Sequence, residues 1–519
     1  MSAGSEPTFI HDILRDRAAA TPEGLCWVLG DRDWTWSQAW EGVQRTAGAL
    51  RTSGISRGDV VAFVDKNHPA ATQLALGCGL LGAAVAILNW RLSADELDYA
   101  LDDSGARMVF VGGEFTSVIA RLRSVPGGPE VVVVGGPNDE FDAWVARGAR
   151  LDAAPAADED DTCVILYSSG TSGRPKGVRL THRNYVGYML RNAAEIPGTP
   201  GGMMILASPM FHVGGTSTAL VSQAIGLASF FVREVSLDAL EAGLDAGATH
   251  VFLVPAVVAQ LIQAGPERLA RFAQLDVFIY GAMPMPKPVL DAAIAAWPTT
   301  VFMHCYGMTE LAGVATYLHD ADHRDTARPE RLVSVGRSIP GVEAKVVDVE
   351  TLDEVRRGAA GELWFRTVQA TPGYLHRPDA TRELITDDGW IRTGDVGRMD
   401  EDGYIFVEDR LKDMVITGGE NVYSPEVERV LAQYPGVLEA VIIGVPDDRW
   451  GETVKAVVVP LPGAVVDVDA LIAHCRSQLA HYKAPTSVDI VAELPRNIAG
   501  KILKRTLREP YWAAAGRQV

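Results

Sequence analysis

The segment Tyr167-Ser168-Ser169-Gly170-Thr171-Ser172-Gly173-Arg174-Pro175-Lys176-Gly177 gathers three glycines, four aliphatic hydroxyls and a lysine. Glycines let main-chain N–H groups approach an anion closely, hydroxyls donate further hydrogen bonds, and the lysine adds a point charge. Those are the requirements of a polyphosphate. The spacing is not that of a Walker A loop, in which four residues separate the glycines and Gly-Lys-Ser/Thr closes the motif; here Lys176 lies between Pro175 and Gly177. A surface turn is the plainer reading of such a composition. A turn, however, has no need of the short, apolar, β-branched run 162–167 that leads into it, and that run reads as a buried strand.

Three further segments could act on a nucleotide. Tyr306-Gly307-Met308-Thr309-Glu310 offers a ring for a base, a hydroxyl for a phosphate and a carboxylate for Mg²⁺, or else a helix start capped by Thr309. Arg392-Thr393-Gly394-Asp395 ends a strand with an acid that could accept both ribose hydroxyls, or that simply sits in a turn. Pro495-Arg496-Asn497-Ile498-Ala499-Gly500-Lys501 presents a lysine after a flexible turn, where a solvated side chain is the ordinary expectation.

The elements that must position these groups follow an α/β rhythm. Apolar runs at 60–64, 108–111 and 131–134 read as strands of mostly parallel sheets, separated by helical stretches. Residues 74–88 are uncharged and read as a tightly packed core helix; 203–232 read as strand, loop and helix, broken by Pro209, Gly214 and Gly215. After about residue 400 the texture changes. A hairpin strand at 403–407 precedes the charged run Asp409-Arg410-Leu411-Lys412-Asp413, and a smaller α/β unit follows with strands at 441–443 and 454–459 and a helix over 468–479.

At 519 residues the chain exceeds one hydrophobic core, so two or more domains are expected. Its net charge of −19 argues against a nucleic-acid-binding surface and against docking on anionic membranes. Five scattered cysteines make neither a metal spacing nor a disulfide framework, which points to a reducing cytoplasm. The N-terminal residues lack the basic and apolar regions of a signal peptide, and no integral membrane segment is expected.

In this order the motifs resemble those of the adenylate-forming superfamily, which comprises acyl-CoA synthetases, peptide-synthetase adenylation domains and luciferases. The resemblance runs from about Thr35 to Arg505 and is nearest to stand-alone bacterial acyl-CoA ligases, as in Lys412-Asp413-Met414-Val415-Ile416-Thr417-Gly418-Gly419-Glu420-Asn421-Val422-Tyr423. It implies an N-terminal adenylation domain over 1–411, built of α/β subdomains and a β-barrel-like part, and a small mobile α+β domain over 412–519. It also implies two half-reactions. A carboxylate attacks the α-phosphate of Mg-ATP to give acyl-AMP and pyrophosphate, and the thiol of coenzyme A then displaces AMP.

On that resemblance, Lys501 bridges the carboxylate and α-phosphate, and Ser168, Ser169, Gly170, Thr171, Ser172, Gly173 and Lys176 hold the β- and γ-phosphates. Thr309 touches the α-phosphate and Glu310 holds Mg²⁺. Gly281-Ala282-Met283 and Tyr306 flank the adenine, with Gly307 and Met308 in the same nucleotide segment, and Asp395 with Arg410 grips the ribose. Lys412 falls at the hinge, Gly418 and Gly419 beside the pantetheine thiol, and Arg476 (less so Lys483) at the coenzyme A phosphates.

His212, in Pro209-Met210-Phe211-His212-Val213-Gly214-Gly215, stands where an aromatic or histidine gates the carboxylate, or is a core histidine. No acid adjoins this stretch to pair an amino acid's ammonium, and Cys305 rather than an arginine adjoins Tyr306. A hydrophobic monocarboxylic acid, fatty or aryl, is therefore expected, with Tyr280 narrowing its pocket. A carrier protein as acceptor, or a non-catalytic binding relative, are the alternatives; a monomer or homodimer is expected.

Overall fold

In a computed structural model, the described residues are 7–151, 157–168, 174–283, 285–417, 420–447, 449–496 and 502–514. The chain divides into two compact units, one of Met1–Ala344 with Phe365–Arg392 and one of Lys345–Trp364 with Thr393–Val519.

The first unit carries the expected α/β texture. Strands Glu130–Val134, Ala106–Gly112, Val60–Val64, Ala84–Ile87 and Thr162–Ser168 lie side by side, all parallel. Lys176–Thr181 closes this six-stranded sheet antiparallel to Thr162–Ser168. A nine-stranded sheet includes Met203–Leu206, His250–Leu253, Val277–Gly281 and Val301–Met308 as parallel neighbours. Near-continuous apolar strands are what sheets covered on both faces require.

The uncharged run 74–88 is not one helix. The helix Pro69–Leu81 is buried at every position, which accounts for its lack of a polar face. His68 caps it through Nδ1, which accepts from Ala70 N, and Gly82 ends it in the left-handed region at φ 69°. Ala84–Ile87 then enters the sheet. The apolar run thus comprises two buried elements joined at a glycine, a division that hydrophobicity alone does not mark. The 203–232 segment unfolds as expected into Met203–Leu206 and Val213–Ile225, with a further strand at Ala228–Phe231.

A separate four-stranded sheet consists of Glu343–Val347, Ala360–Arg366, Ile391–Met399 and Ile405–Arg410. In the second unit, Val437–Asp447 and Gly451–Pro460 form a long antiparallel pair within a five-stranded sheet. Alternation along Val437–Asp447 sends Ile442 to one face, with Val427, Leu431 and Leu471, and Val441, Ile443 and Val445 to the other, with Leu494, Leu507 and Tyr511. The first face is covered by Ser424–Leu431 and Val468–Gln478, and the second by Lys504–Ala514. This last helix had no counterpart in the sequence reading.

Candidate active site

The strand Thr162–Ser168 is buried through its centre and half-buried at Tyr167 and Ser168, where it emerges into the glycine-rich segment. Ser169, Gly170, Thr171, Ser172 and Gly173 lie outside the described residues. The two stems are fixed by the antiparallel register that pairs Ser168 with Lys176, so the entry hydroxyl and the exit lysine lie side by side.

The Tyr306–Glu310 segment reaches this place from the other sheet. Strand Val301–Met308 ends in a 3₁₀ turn, Thr309–Leu311, with a half-buried Thr309 at its start and a buried Glu310. Thr309 is the first residue of the turn and Met308 occupies the cap position, so Thr309 does not cap it. Ala312 closes the turn at φ 54°.

Four bonds hold the turn. Ser217 Oγ donates to Ala312 O at 2.7 Å, and Gln369 Nε2 donates to Leu311 O at 3.0 Å and to Val314 O at 2.7 Å. Thr371 N donates to Glu310 O at 2.8 Å. Gly307 lies so close to the neighbouring strand that a Cβ there would stand 1.9 Å from Gly313 O.

The Glu310 carboxylate meets the loop stem. Its Oε1 accepts from Tyr374 Oη at 2.8 Å and, more weakly, from Ser168 Oγ at 3.5 Å. Lys176 Nζ lies 5.0 Å from the centroid of the same Tyr374 ring. Burial, reinforced by the adjacent Glu310 charge, raises the Tyr374 phenol well above its ordinary range and keeps it a donor. Tyr374 escaped the sequence reading; the one signal was its place after Gly373, in a strip that pairs with the exit strand through Leu375 N to Gly177 O at 2.8 Å.

Among the described residues no group of three or more His, Cys, Asp or Glu could hold a metal. A lone buried carboxylate beside a phosphate-binding stem suits Mg²⁺, which uses one or two carboxylates and completes its shell with phosphate oxygens and water. Glu310 fits that part.

The adenine candidates lie at the end of Val277–Gly281. Gly281 is in register with Cys305, and a Cβ on it would stand 2.4 Å from Cys305 O. Ala282 follows at φ 65°, a left-handed conformation that is uncommon for a residue with a side chain. Met283 and Tyr306 are half-buried, and the Tyr306 ring lies 6.0 Å from Phe365.

Tyr280, expected to narrow the acyl pocket, is instead a core residue at 1% exposure. It stacks on His304 at 4.6 Å, and its hydroxyl shares a hydrogen bond with His323 Nε2 at 2.8 Å. Strand alternation places it with Phe278, on the side of Trp297.

His212 is half-buried immediately before the helix Val213–Ile225, its ring 4.5 Å from Phe211. The same helix carries Ser217, which ties it to the Glu310 turn. Asn67, unmarked by any motif, holds the preceding loop by donating to Leu206 O and Ser208 O and accepting from Met210 N.

In the second unit, Asp395 and Arg410 are cross-strand partners, and Arg410 Nε lies 2.6 Å from Asp395 Oδ1. The acid is 4% exposed while Arg410 reaches solvent. Glu362 accepts from Gly394 N at 2.9 Å, and Thr393 Oγ1 accepts from Asp395 N at 3.0 Å, so the Thr-Gly-Asp corner is fully bonded.

Lys412 is exposed, and its carbonyl accepts from Arg508 Nη1 at 2.8 Å. Arg476 is exposed in the last turn of Val468–Gln478. Lys483 is already paired with Glu426 at 2.7 Å, which weakens it as an anion ligand. Gly418, Gly419 and Lys501 lie outside the described residues; Arg496 and Ile502, flanking the last, form a bridge.

Comparison with known proteins establishes the class as enzymes that activate a carboxylate with a nucleotide. Residues 14–375 match the family model described as AMP-binding enzyme, and 426–501 match the AMP-binding enzyme C-terminal domain. The chain belongs to this family and is an AMP-forming acid–thiol ligase.

It is 36% identical to a fatty acid–[acyl-carrier-protein] ligase from Streptomyces coeruleorubidus, over 96% of this chain and 95% of that one. It is also 36% identical to a feruloyl-CoA synthase from an Amycolatopsis species, over 95% of this chain and 97% of that one. Among solved structures, ATP-bound MatB from Rhodopseudomonas palustris superposes with a TM-score of 0.86 at 30% identity, covering 97% and 99% of the two chains.

Proposed function

We propose that this enzyme activates a hydrophobic monocarboxylic acid, fatty or aryl, as its acyl-adenylate and passes the acyl group to coenzyme A. The observation that carries the reading is that Glu310 accepts from Tyr374 and Ser168 at the stem of the glycine-rich loop, with Lys176 over the same Tyr374 ring. It sets a metal-suited carboxylate beside a phosphate-suited lysine, as transfer from a nucleoside triphosphate requires.

In the first step a carboxylate oxygen bonds to the α-phosphorus and the bond to the β-phosphate oxygen breaks, releasing pyrophosphate. Two anions must approach, so positive charge has to gather where negative charge accumulates. Mg²⁺, when bound, supplies part of that charge. Lys176 and the loop 168–173 receive the β- and γ-phosphates, Thr309 the α-phosphate, and Lys501 the incoming carboxylate. Gly281, Ala282, Met283 and Tyr306 take the adenine, with Gly307 and Met308 beside it, while Asp395 and Arg410 take the ribose. In the second step the thiolate sulfur bonds to the acyl carbon and AMP leaves with the electrons of the broken C–O bond.

Residues 412–519 act as a mobile domain pivoting near Lys412, which withdraws Lys501 and brings Gly418 and Gly419 to the thiol. Arg476 meets the coenzyme A phosphates. The separate core of the second unit and the independent family match over 426–501 support this division. The lack of an acid in 209–215, and Cys305 rather than an arginine beside Tyr306, favour an uncharged acyl tail. Five buried free cysteines fit a reducing cytoplasm, and among the described residues no helix is long and apolar enough to cross a membrane.

Likeness to a ligase named for an acyl-carrier protein favours one second reading, in which the acceptor thiol belongs to a carrier protein. Pyrophosphate release with ATP and Mg²⁺ across a panel of acids, with and without coenzyme A, tests both. Acid-dependent release accelerated by coenzyme A supports the ligase, release without thioester supports the carrier, and silence across the panel removes the fatty or aryl acid as substrate.

A further inference from the structure

A cluster of side chains away from the nucleotide-facing segments grips both stems of the glycine-rich loop. Tyr99 and Asp103 lie four residues apart on the helix Ala94–Ser104 and so share a face. On the entry stem, Tyr167 Oη donates to Asp103 Oδ2 at 2.9 Å. On the exit stem, Tyr99 Oη donates to Pro175 O at 3.2 Å, and the Arg174 guanidinium lies 5.0 Å above the Tyr99 ring. Arg377 joins the two halves, its Nη2 donating to Asp103 Oδ1 at 2.9 Å and to Tyr99 Oη at 2.8 Å. The Asp103 side chain is 7% exposed, so its charge is compensated by Arg377 rather than by water.

The strip that delivers Arg377 also delivers Tyr374. Residues 373–375 run along the exit strand, through Arg179 N to Gly373 O at 3.2 Å and Leu375 N to Gly177 O at 2.8 Å. Tyr374 turns to Glu310, and Arg377 to Asp103. One strip thereby couples the phosphate-loop stems to the metal-suited carboxylate.

We infer that Tyr99, Asp103 and Arg377 are positioning residues for phosphate binding: they set the separation of the loop's two stems before a nucleotide arrives. Fixing a glycine-containing backbone costs more conformational entropy than fixing other residues, and any such cost met on binding subtracts from affinity. Fixing both ends in advance lowers that cost. The inference rests on the phosphate-binding role proposed for this loop, and it concerns the β- and γ-phosphates, which ATP carries and AMP lacks.

The test is calorimetric binding of ATP and of AMP to the full chain and to Asp103→Asn and Tyr99→Phe, without any acid substrate. In both variants ATP affinity should fall about tenfold while AMP affinity stays as in the wild type. Arg377→Lys, which keeps a cation for Asp103, should fall between. Unchanged ATP affinity in both variants overturns the clamp. So does an equal loss of ATP and AMP binding with a lowered melting temperature, which would mark a merely structural role. Failure of the underlying reading looks different: inorganic pyrophosphate would then fail to displace ATP from the wild-type protein.

Discussion

Tyr374 donates its phenolic hydrogen to Glu310 Oε1 across 2.8 Å, and the face of the same ring receives Lys176. One side chain thus stands between the loop's lysine and the neighbouring carboxylate. Direct contact would let the two charges satisfy each other; held apart, each remains available to a phosphate and its metal.

Tyr374→Phe keeps the ring under Lys176 and removes only the donor to Glu310. A hydrogen bond to a charged group contributes about 1.5–3 kcal/mol, so kcat/KM for Mg-ATP in pyrophosphate release should fall roughly tenfold or more. Thioester formation from supplied acyl-AMP should be preserved. Parallel loss of both steps would show that Tyr374 serves the fold and not the phosphate site.

Lys501→Ala should abolish adenylation and leave conversion of supplied acyl-AMP to thioester intact. Single-turnover measurements of each half-reaction separate the two, and equal loss would end the assignment of Lys501 to the first step alone.

Asp395→Asn retains size but not charge beside Arg410, 2.6 Å away. If Asp395 reads the ribose, ATP and AMP should both weaken, by about tenfold, because both carry that sugar. The clamp variants weaken ATP but spare AMP, so a single set of titrations distinguishes the two roles.

Acid should destabilise the protein through its buried imidazoles. Burial lowers His11 and His304 to about 4 and His68 and His182 to about 3. Unfolded histidines take up a proton near pH 6.5. Between 6.5 and those lowered values the unfolded state binds more protons, so stability falls as pH falls through that window. Each such group contributes on the order of 3 kcal/mol to the change. Melting temperatures from pH 7.5 to 4 should show the decline, and His182→Gln should flatten it; an unaltered slope would show that His182 titrates normally.

The α/β architecture was legible because buried parallel strands have to be short, apolar and β-branched, as at Val60–Val64 and Thr162–Ser168. The helix–strand break at Gly82 was not, since a buried helix and a buried strand present the same apolar composition. The candidate site was legible where chemistry demands particular residue types within a few positions, as in 167–177 and 306–310. Gln369, with its bonds to Leu311 and Val314, carries no local signature of its role, because its partners lie more than fifty residues away.

The sequence by itself determined the family and the chemistry it can perform, since a glycine-rich anion loop, a Tyr-Gly-Met-Thr-Glu segment and a Thr-Gly-Asp corner in this order are local patterns that survive without coordinates. Only the tertiary structure decided that Ser168, Lys176, Glu310 and Tyr374 meet, and that Tyr280 belongs to the core. Those relationships depend on strand register and on which face of a sheet a side chain takes. Both are set by long-range packing, which the order of residues along the chain does not display.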